Sequence, residues 1–323
     1  MSENHSMVSI VIPTHCRPQL LLRLLDSLAS QTLSPDQFEI LVVHNYTDDG
    51  TEESVQRWVE AHSVHIEYHK KNYHGPGGSR DFGARKAKGE FIAFIDDDCI
   101  ASPGWLEQGI AAFTSDNVGL VQGRTLPMPG QQRYLLEKTI DIEKPSIFFE
   151  TCNIFYRRKV FMEVDGFSME FLEAISGEDT DLGWKVKRAG FDIAFCREAV
   201  VYHEVFKVSY WRWLKEPLLL FKNIPYLTKK FPELRDYMYA RYFLTMDTAL
   251  FHSFLLGMFV ILFVDTFIGF IITGPYFINR YRNGSHMKNP FLKLMRIFFG
   301  LPRAFLMWWA LVIGSIRSRN ILL

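Results

Sequence analysis

Short apolar runs alternate with helix-patterned stretches from residue 8 to residue 122, and that alternation restricts the chain to one fold class. Residues 8–12 form an apolar, β-branched run ended by Pro13, the pattern of a strand buried on both faces. Leu21, Leu24, Leu25 and Leu28 then recur at helical spacing. Residues 38–43 give a second strand. Asp48-Asp49-Gly50-Thr51 makes a turn and caps a helix carrying Val55, Trp58 and Val59. Residues 64–68 alternate as a third strand. The loop 72–78 holds three glycines and a proline, and a helix over 79–87 leads to Gly89. Residues 91–95 form a fourth strand that runs into Asp96-Asp97-Asp98. Ser102-Pro103 opens another helix as N-cap and N1, and residues 118–122 are a fifth strand. This order predicts an α/β fold with a mostly parallel sheet covered by helices on both faces. Ligands of such sheets bind beyond the carboxyl ends of the strands, where the three aspartates fall.

The pattern changes from about residue 216. Charge thins and Phe and Leu dominate. Residues 249–278 carry one formal charge, Asp265, and residues 297–316 carry one, Arg303. Both runs reach the ~20 residues that cross a bilayer, and Trp308-Trp309 suits a membrane interface. The expected division is therefore a catalytic domain over 1–215 and a helical membrane-associated region over 216–323. Lys229, Lys230, Arg235 and Arg241 precede the first run. Arg280, Arg282, Lys288, Lys293 and Arg296 separate the two, and Arg317 and Arg319 follow the second. Two simple spans cannot keep all three flanks on the cytoplasmic side. Re-entrant hairpins or in-plane helices can, and a bend at Asp265 would split the first run into two half-depth helices. Spanning and monotopic arrangements both stay open.

Composition narrows the function. The chain has 323 residues, with 36 Lys+Arg against 36 Asp+Glu, and this balance argues against a nucleic-acid partner. Cys16, Cys99, Cys152 and Cys196 lie far apart without metal-binding spacing, so reduced thiols in a cytosolic setting are expected. No signal peptide is read in the polar first seven residues. Neither GxGxxG after the first strand nor GxxxxGK[ST] is present. Gly75-Pro76-Gly77-Gly78 reads either as a flexible turn or as a phosphate cradle, with Arg80 at a helix start supplying a bidentate fork.

Three adjacent carboxylates repel one another, and a hard divalent cation with oxygen ligands relieves that repulsion. Side-chain alternation lets Asp96 and Asp98 point the same way. Gly177-Glu178-Asp179-Thr180-Asp181-Leu182 opens a helix over Leu182, Val186 and Ala189 that Gly190 closes. Ser176 with Asp179 could make an imperfect capping box, while the helix dipole could instead keep a carboxylate ionised as a general base. His203, after the apolar run 199–201, fits either a hydrogen-bonded core histidine or a metal ligand.

Several segments in this order resemble the family 2 glycosyltransferases, whose nucleotide-binding domain has the GT-A fold. They are Val8-Ser9-Ile10-Val11-Ile12-Pro13-Thr14, Thr47-Asp48-Asp49-Gly50-Thr51, residues 72–83, residues 89–98, Cys152-Asn153 through Arg157-Arg158, Asp165-Gly166-Phe167 and residues 177–182. The resemblance covers about residues 7–205. It implies inverting sugar transfer from a nucleotide-diphosphate sugar to an acceptor hydroxyl. Asp96 and Asp98 match the family's DxD, which holds Mn²⁺ or Mg²⁺ on the pyrophosphate, and His203 fits a position that completes the metal shell. Asp179 matches the acid that deprotonates the acceptor. Pro13, Thr14 and Arg17 should line the nucleoside side, Arg80 and Asp81 should contact the nucleotide, and Asn153 should hold the sugar. Asp97 and Glu178 are also expected to touch substrate. The acid that usually follows the second strand is replaced by His44-Asn45-Tyr46, so Asn45 would read the base. The membrane runs suggest a lipid-linked or membrane-delivered glycan acceptor, as in polysaccharide biosynthesis, and a catalytic domain on the cytoplasmic side. Two other readings remain. A sugar nucleotidyltransferase would need a glycine-rich basic loop where His15-Cys16-Arg17-Pro18 stands. A membrane scaffold with a decayed enzyme domain would not be expected to keep Asp96, Asp98 and Asp179.

Overall fold

The computed structural model describes residues 7–45, 48–72, 75–172, 176–283 and 289–323. Tyr46, Thr47, residues 73–74 of the glycine-rich loop and Lys288, which figured in the motifs and flanks above, lie outside the described residues. The chain forms two compact units, Met1–Gln132 with Thr139–Val205, and Arg133–Lys138 with Phe206–Leu323.

The first unit follows the strand–helix alternation. Its early elements are β1 (Val8–Thr14), α1 (Pro18–Ala29), β2 (Phe38–Asn45), α2 (Thr51–Ala61), β3 (Ile66–Lys71), α3 (Pro76–Lys86) and β4 (Phe91–Ile95). The Asp49 carboxylate accepts from the Thr51 N–H at 3.0 Å and starts α2. Then come β5 (Cys99–Ala101), α4 (Trp105–Ala111) and β6 (Val118–Pro127). Helix α4 begins two residues later than Ser102-Pro103 suggested, because that pair forms the preceding turn, closed by the Trp105 N–H to the Ser102 carbonyl. β7 (Glu137–Lys138) belongs to the second unit. The first unit ends with β8 (Asn153–Arg157), α5 (Arg158–Glu163), α6 (Glu178–Arg188) and β9 (Asp192–His203).

Eight strands order as β3-β2-β1-β4-β8-β6-β9-β5. β3, β2, β1 and β4 are parallel, and the leucine face of α1 packs under them. The far half departs from the expected parallel sheet. β8 runs antiparallel to both β4 and β6, and β5 antiparallel to β9. A parallel neighbour needs a crossover, usually helical. β8 is instead reached through an irregular segment, and it enters the sheet with Asn153 opposite Ile95, the last residue of β4. The start of β8 therefore joins the carboxyl ends of β1, β4, β6 and β9 at one edge. The result is a mixed α/β sheet with the GT-A arrangement. Helix α3 lies close enough to deliver Arg80 to this edge because Gly83 has no side chain. A Cβ there would stand 2.5 Å from a Val11 methyl carbon.

The second unit pairs β7 with β10 (Phe206–Lys207) and continues through α7 (Tyr210–Leu220), α8 (Ile224–Lys230), α9 (Met246–Phe263), α10 (Thr266–Asn283) and α11 (Pro290–Ser318). The first long apolar run does break at Asp265, which caps α10 through the Ile268 N–H at 2.8 Å. α9 and α10 fold back on each other. Gly257 approaches Gly269 and Thr273 too closely for a side chain, and the Ser253 hydroxyl donates to the Ile272 carbonyl. By length and composition α9 and α11 could each cross a membrane.

Candidate active site

Asp96-Asp97-Asp98 occupies the turn between β4 and β5, at the carboxyl edge of the sheet. Its repulsion is relieved first by two arginines. Arg17, just after β1, donates to Asp97 at 3.1 Å and to Asp98 at 2.7 Å. Arg80, from the first turns of α3, donates to Asp96 at 2.6 Å. The Thr14 hydroxyl donates to the second Asp97 oxygen at 2.7 Å. Asp97 is 6% exposed, and burial, helped by the neighbouring Asp98 charge and opposed by Arg17, pushes its carboxyl up to about 7. Burial also acts against Asp96, but the Arg80 charge and hydrogen bond outweigh it and hold that carboxyl below the usual range.

One carboxylate oxygen is left over. Asp98 Oδ1 is buried and has no hydrogen-bond partner. It faces His203 Nε2 at 3.4 Å. The other ring nitrogen, Nδ1, lies 2.8 Å from the Glu204 carbonyl, which can only accept, so Nδ1 carries the proton. In the neutral ring Nε2 then presents a lone pair toward the lone pairs of Asp98 Oδ1. Two acceptors brought face to face make a fitting cation site, and a histidine fixed through its second nitrogen is how metal ligands are oriented. Asp98, Cys99 and His203 place ligand atoms within 4.8 Å of one another, and burial keeps the Cys99 thiol protonated. The residues thus fit a divalent cation, with Asp98 and His203 as its nearest donors. Asp96, turned to Arg80, stands two residues earlier in the turn.

Arg80 joins this corner to the second acidic cluster. Its NH1 donates to Glu178 at 3.3 Å and lies 3.6 Å from Asp179. Burial works against the guanidinium charge, yet Asp96, Asp179 and Glu178 together hold it firmly ionised. The capping box that Ser176 could have made does not form. Gly177 is the N-cap, at φ +105, a left-handed conformation that suits glycine. Asp179 is thereby released to reach across to Thr151, whose N–H donates to Oδ2 at 3.0 Å and whose hydroxyl donates to Oδ1 at 2.9 Å. Burial raises the Asp179 carboxyl above its ordinary value, against the pull of Arg80 and Thr151. About a fifth of its side chain remains exposed.

Other expected residues are placed differently. Asp81 turns away from the triplet. It accepts from Arg85 at 2.7 Å and from the Phe167 N–H at 3.1 Å, pinning the Asp165-Gly166-Phe167 turn to α3. Asn153 is 1% exposed, its oxygen accepts from the Trp105 indole, and its amide donates to the carbonyls of Arg124 and Ala199. A sugar contact by that side chain would break bonds that tie β8 to β6 and β9. Glu178 is 4% exposed and meets Arg80 rather than open space. Pro13 and Asn45 stand at the ends of β1 and β2 on the same edge as the triplet. His44, beside Asn45, binds the Tyr68 hydroxyl at 2.5 Å and Asp49 at 3.3 Å, and burial lowers its pKa despite Asp49. Two participants were not foreseen. Thr151 holds both oxygens of Asp179, and Glu150 is a buried carboxyl raised by that burial and bonded to Ser146 and Gln122. No spacing rule points to Thr151, since its link to Asp179 crosses from the turn just before β8 to α6.

Burial, reinforced by the Asp179 charge and opposed by Arg80, pushes Glu178 up to about 8, from an ordinary 4.5. Between those values the folded chain keeps a proton that the unfolded chain has released. Stability must therefore fall as pH rises through that window. Glu178→Gln is expected to flatten this decline and to raise the melting temperature at pH 8, read by thermal denaturation from pH 5 to 8.5. A pH dependence identical to that of the parent would show Glu178 ionised throughout.

The family model for glycosyl transferase family 2 matches residues 9–176, ending just before Asp179. Glycosyltransferase AglE of Haloferax volcanii is 27% identical over 212 residues, 63% of this chain and 68% of that protein. Validoxylamine A glucosyltransferase of Streptomyces hygroscopicus subsp. limoneus is 24% identical over 229 residues, 60% of this chain and 50% of that protein. The chain thus spans between half and about two thirds of the length of these relatives. Among solved structures, mannosyltransferase PcManGT of Pyrobaculum calidifontis, in complex with GDP-Man and Mn²⁺, superposes with a TM-score of 0.59 at 15% identity, covering 97% of this chain and 87% of its own. S. aureus TarS 1-349 with UDP-GlcNAc gives a TM-score of 0.52 at 16% identity, covering 97% and 92%. At such identities the two structures establish the shared fold. With the family model matched over more than half its length, the chain belongs to glycosyl transferase family 2.

Proposed function

We propose that this protein is an inverting glycosyltransferase that moves a sugar from a nucleoside-diphosphate sugar to an acceptor hydroxyl, with Asp179 as general base. The observation that carries this reading is the approach of the buried Asp98 Oδ1 to His203 Nε2 at 3.4 Å, in the corner that Arg80 links to Asp179. The solved neighbours named above hold GDP-Man with Mn²⁺ and UDP-GlcNAc, which supports a donor of this class.

In this reading Asp98 and His203, with Asp96 alongside, hold Mn²⁺ or Mg²⁺. When bound, such an ion neutralises charge on the departing diphosphate. Thr14 and Arg17 keep Asp97 and Asp98 in place, and Pro13, Asn45 and the exposed part of Arg17 line the nucleoside side. Asp179 accepts the proton of the acceptor hydroxyl, whose oxygen attacks the anomeric carbon from the face opposite the diphosphate. The new glycosidic C–O bond forms as the bond to the diphosphate breaks. Its raised pKa makes Asp179 a stronger base than an exposed aspartate. Thr151 aims it, and Arg80 stabilises its ionised form. Asp81 and Asn153 act through the scaffold, and Glu178 through Arg80. The acceptor is proposed to be a lipid-linked or membrane-delivered glycan, with the catalytic unit on the cytoplasmic side, supported by α9 and α11 and their basic flanks.

The test is a panel of UDP-, GDP- and dTDP-sugars with Mn²⁺, followed by thermal shift and by release of nucleoside diphosphate. A donor at 100 times its Kd stabilises the fold by about 2.7 kcal/mol. Stabilisation by one donor class only with Mn²⁺, together with diphosphate release, is expected. Release of pyrophosphate from a nucleoside triphosphate would replace this reading with nucleotidyl transfer.

A further inference from the structure

We propose that the second unit docks on the anionic leaflet of a lipid bilayer from one side, with α11 lying in the plane of the interface and the α9–α10 tip buried to about one leaflet. The inference rests on the membrane attachment proposed above and not on sugar transfer.

Three observations support it. Charge is strongly divided along the chain. Residues 206–323 carry 16 Lys+Arg against 5 Asp+Glu, a net +11 in a chain whose total is zero. Such an excess beside apolar surface fits anionic headgroups.

The second observation is the surface of α11. Every exposed residue from Phe291 to Ile316 is apolar, and Phe291, Leu294, Phe298, Phe305, Trp309 and Ile316 share one stripe at heptad-like spacing. The opposite face packs on α7 and α8. Arg303, near the middle of α11, pairs with Glu216 of α7 at 2.8 Å and stacks on Trp213 at 4.7 Å. Arg212 and Lys215 flank Trp213 and are exposed. If α11 crossed the bilayer, these charges would be carried into hydrocarbon, which costs several kcal/mol each, against the single Asp265 carboxylate, held by the Ile268 N–H, that a half-depth hairpin carries in. Lying flat, α11 gives its stripe to lipid and leaves α7 in water.

The third is the hairpin. At its base Arg280 pairs with Asp247 at 3.4 Å. Toward its tip the exposed residues are mainly large and apolar, among them Leu256, Phe259, Leu262, Phe263, Phe267 and Phe270. From Leu256 to the turn at Val264 is roughly 12 Å of helix, close to half of the ~30 Å hydrocarbon core. A cavity of about 300 Å³ lined by Phe277, Tyr281, Leu294 and Phe298 among others gives room for an acyl chain beside the stripe.

The full chain, with Cys16→Ser to leave three buried cysteines, is added to preformed vesicles. Flotation should favour phosphatidylglycerol vesicles over phosphatidylcholine by at least ten-fold. Single cysteines are then introduced as Asp265→Cys, Arg282→Cys and Arg317→Cys. A membrane-impermeant maleimide outside should label positions 282 and 317. Position 265 should be reached from neither face until detergent is added. Labelling of 265, 282 or 317 by reagent trapped inside the vesicles would mean a spanning helix and overturn the proposal. A protein that stays off both vesicle types as a soluble dimer would do the same, with a second copy covering the stripe. Flotation needs no donor, so vesicle binding without sugar transfer would refute the catalytic reading alone.

Discussion

Asp179→Asn is expected to lower kcat by about 10³-fold, within the 10²–10⁴ range of general-base catalysis. Donor-induced thermal stabilisation should survive. The geometry supplies the reason for this split. Asp179 touches Arg80 and Thr151, whereas the candidate cation corner is built from Asp98 and His203. Arg80 keeps Asp96 and Glu178 as partners when Asp179 is neutralised, so the buried guanidinium is not stranded. The amide presents one N–H₂ group toward a Thr151 donor, a local mismatch expected to cost about 1–3 kcal/mol of stability. Melting of the variant separates that cost from the loss of chemistry. Turnover within ten-fold of the parent would remove Asp179 from the base role and direct attention to Glu150, a nearby acid whose carboxyl is also raised by burial.

Asp98→Ala acts on the other side of the reaction. It removes the unpartnered oxygen that faces His203, while Arg17 retains Asp97. Thermal stabilisation by Mn²⁺ should vanish, and transfer should fall by about 10²–10³-fold, since charge neutralisation on a leaving group is worth several kcal/mol. The apo protein should remain folded. Because the Asp98 charge helps to hold the Asp97 carboxyl up, its removal also lets Asp97 ionise more readily. An unchanged Mn²⁺ shift in the variant would show that the cation binds elsewhere.

The parallel half of the sheet was readable from residue order alone, because β-branched runs followed by leucine-faced helices have few other ways to bury their apolar faces. The positions of Asp96–Asp98 beyond β4 and of Arg17 beyond β1 follow from that order. The break at Asp265 was also legible, as one charged residue in a thirty-residue apolar run. The antiparallel entry of β8 was not. Strand direction depends on the path of the preceding irregular segment, which carries no periodicity.

The same limit governs the site. Residue type and local order determined which carboxylates, arginines and histidine were available, and that they gather at one edge of the sheet. Tertiary structure alone decided their partners. Arg80 bridges Asp96 to Asp179, Thr151 grips Asp179, and Asn153 spends its amide inside the sheet. These contacts join residues 16 to 99 positions apart, and local sequence patterns report only on neighbours within a turn of helix or a pair of strand residues.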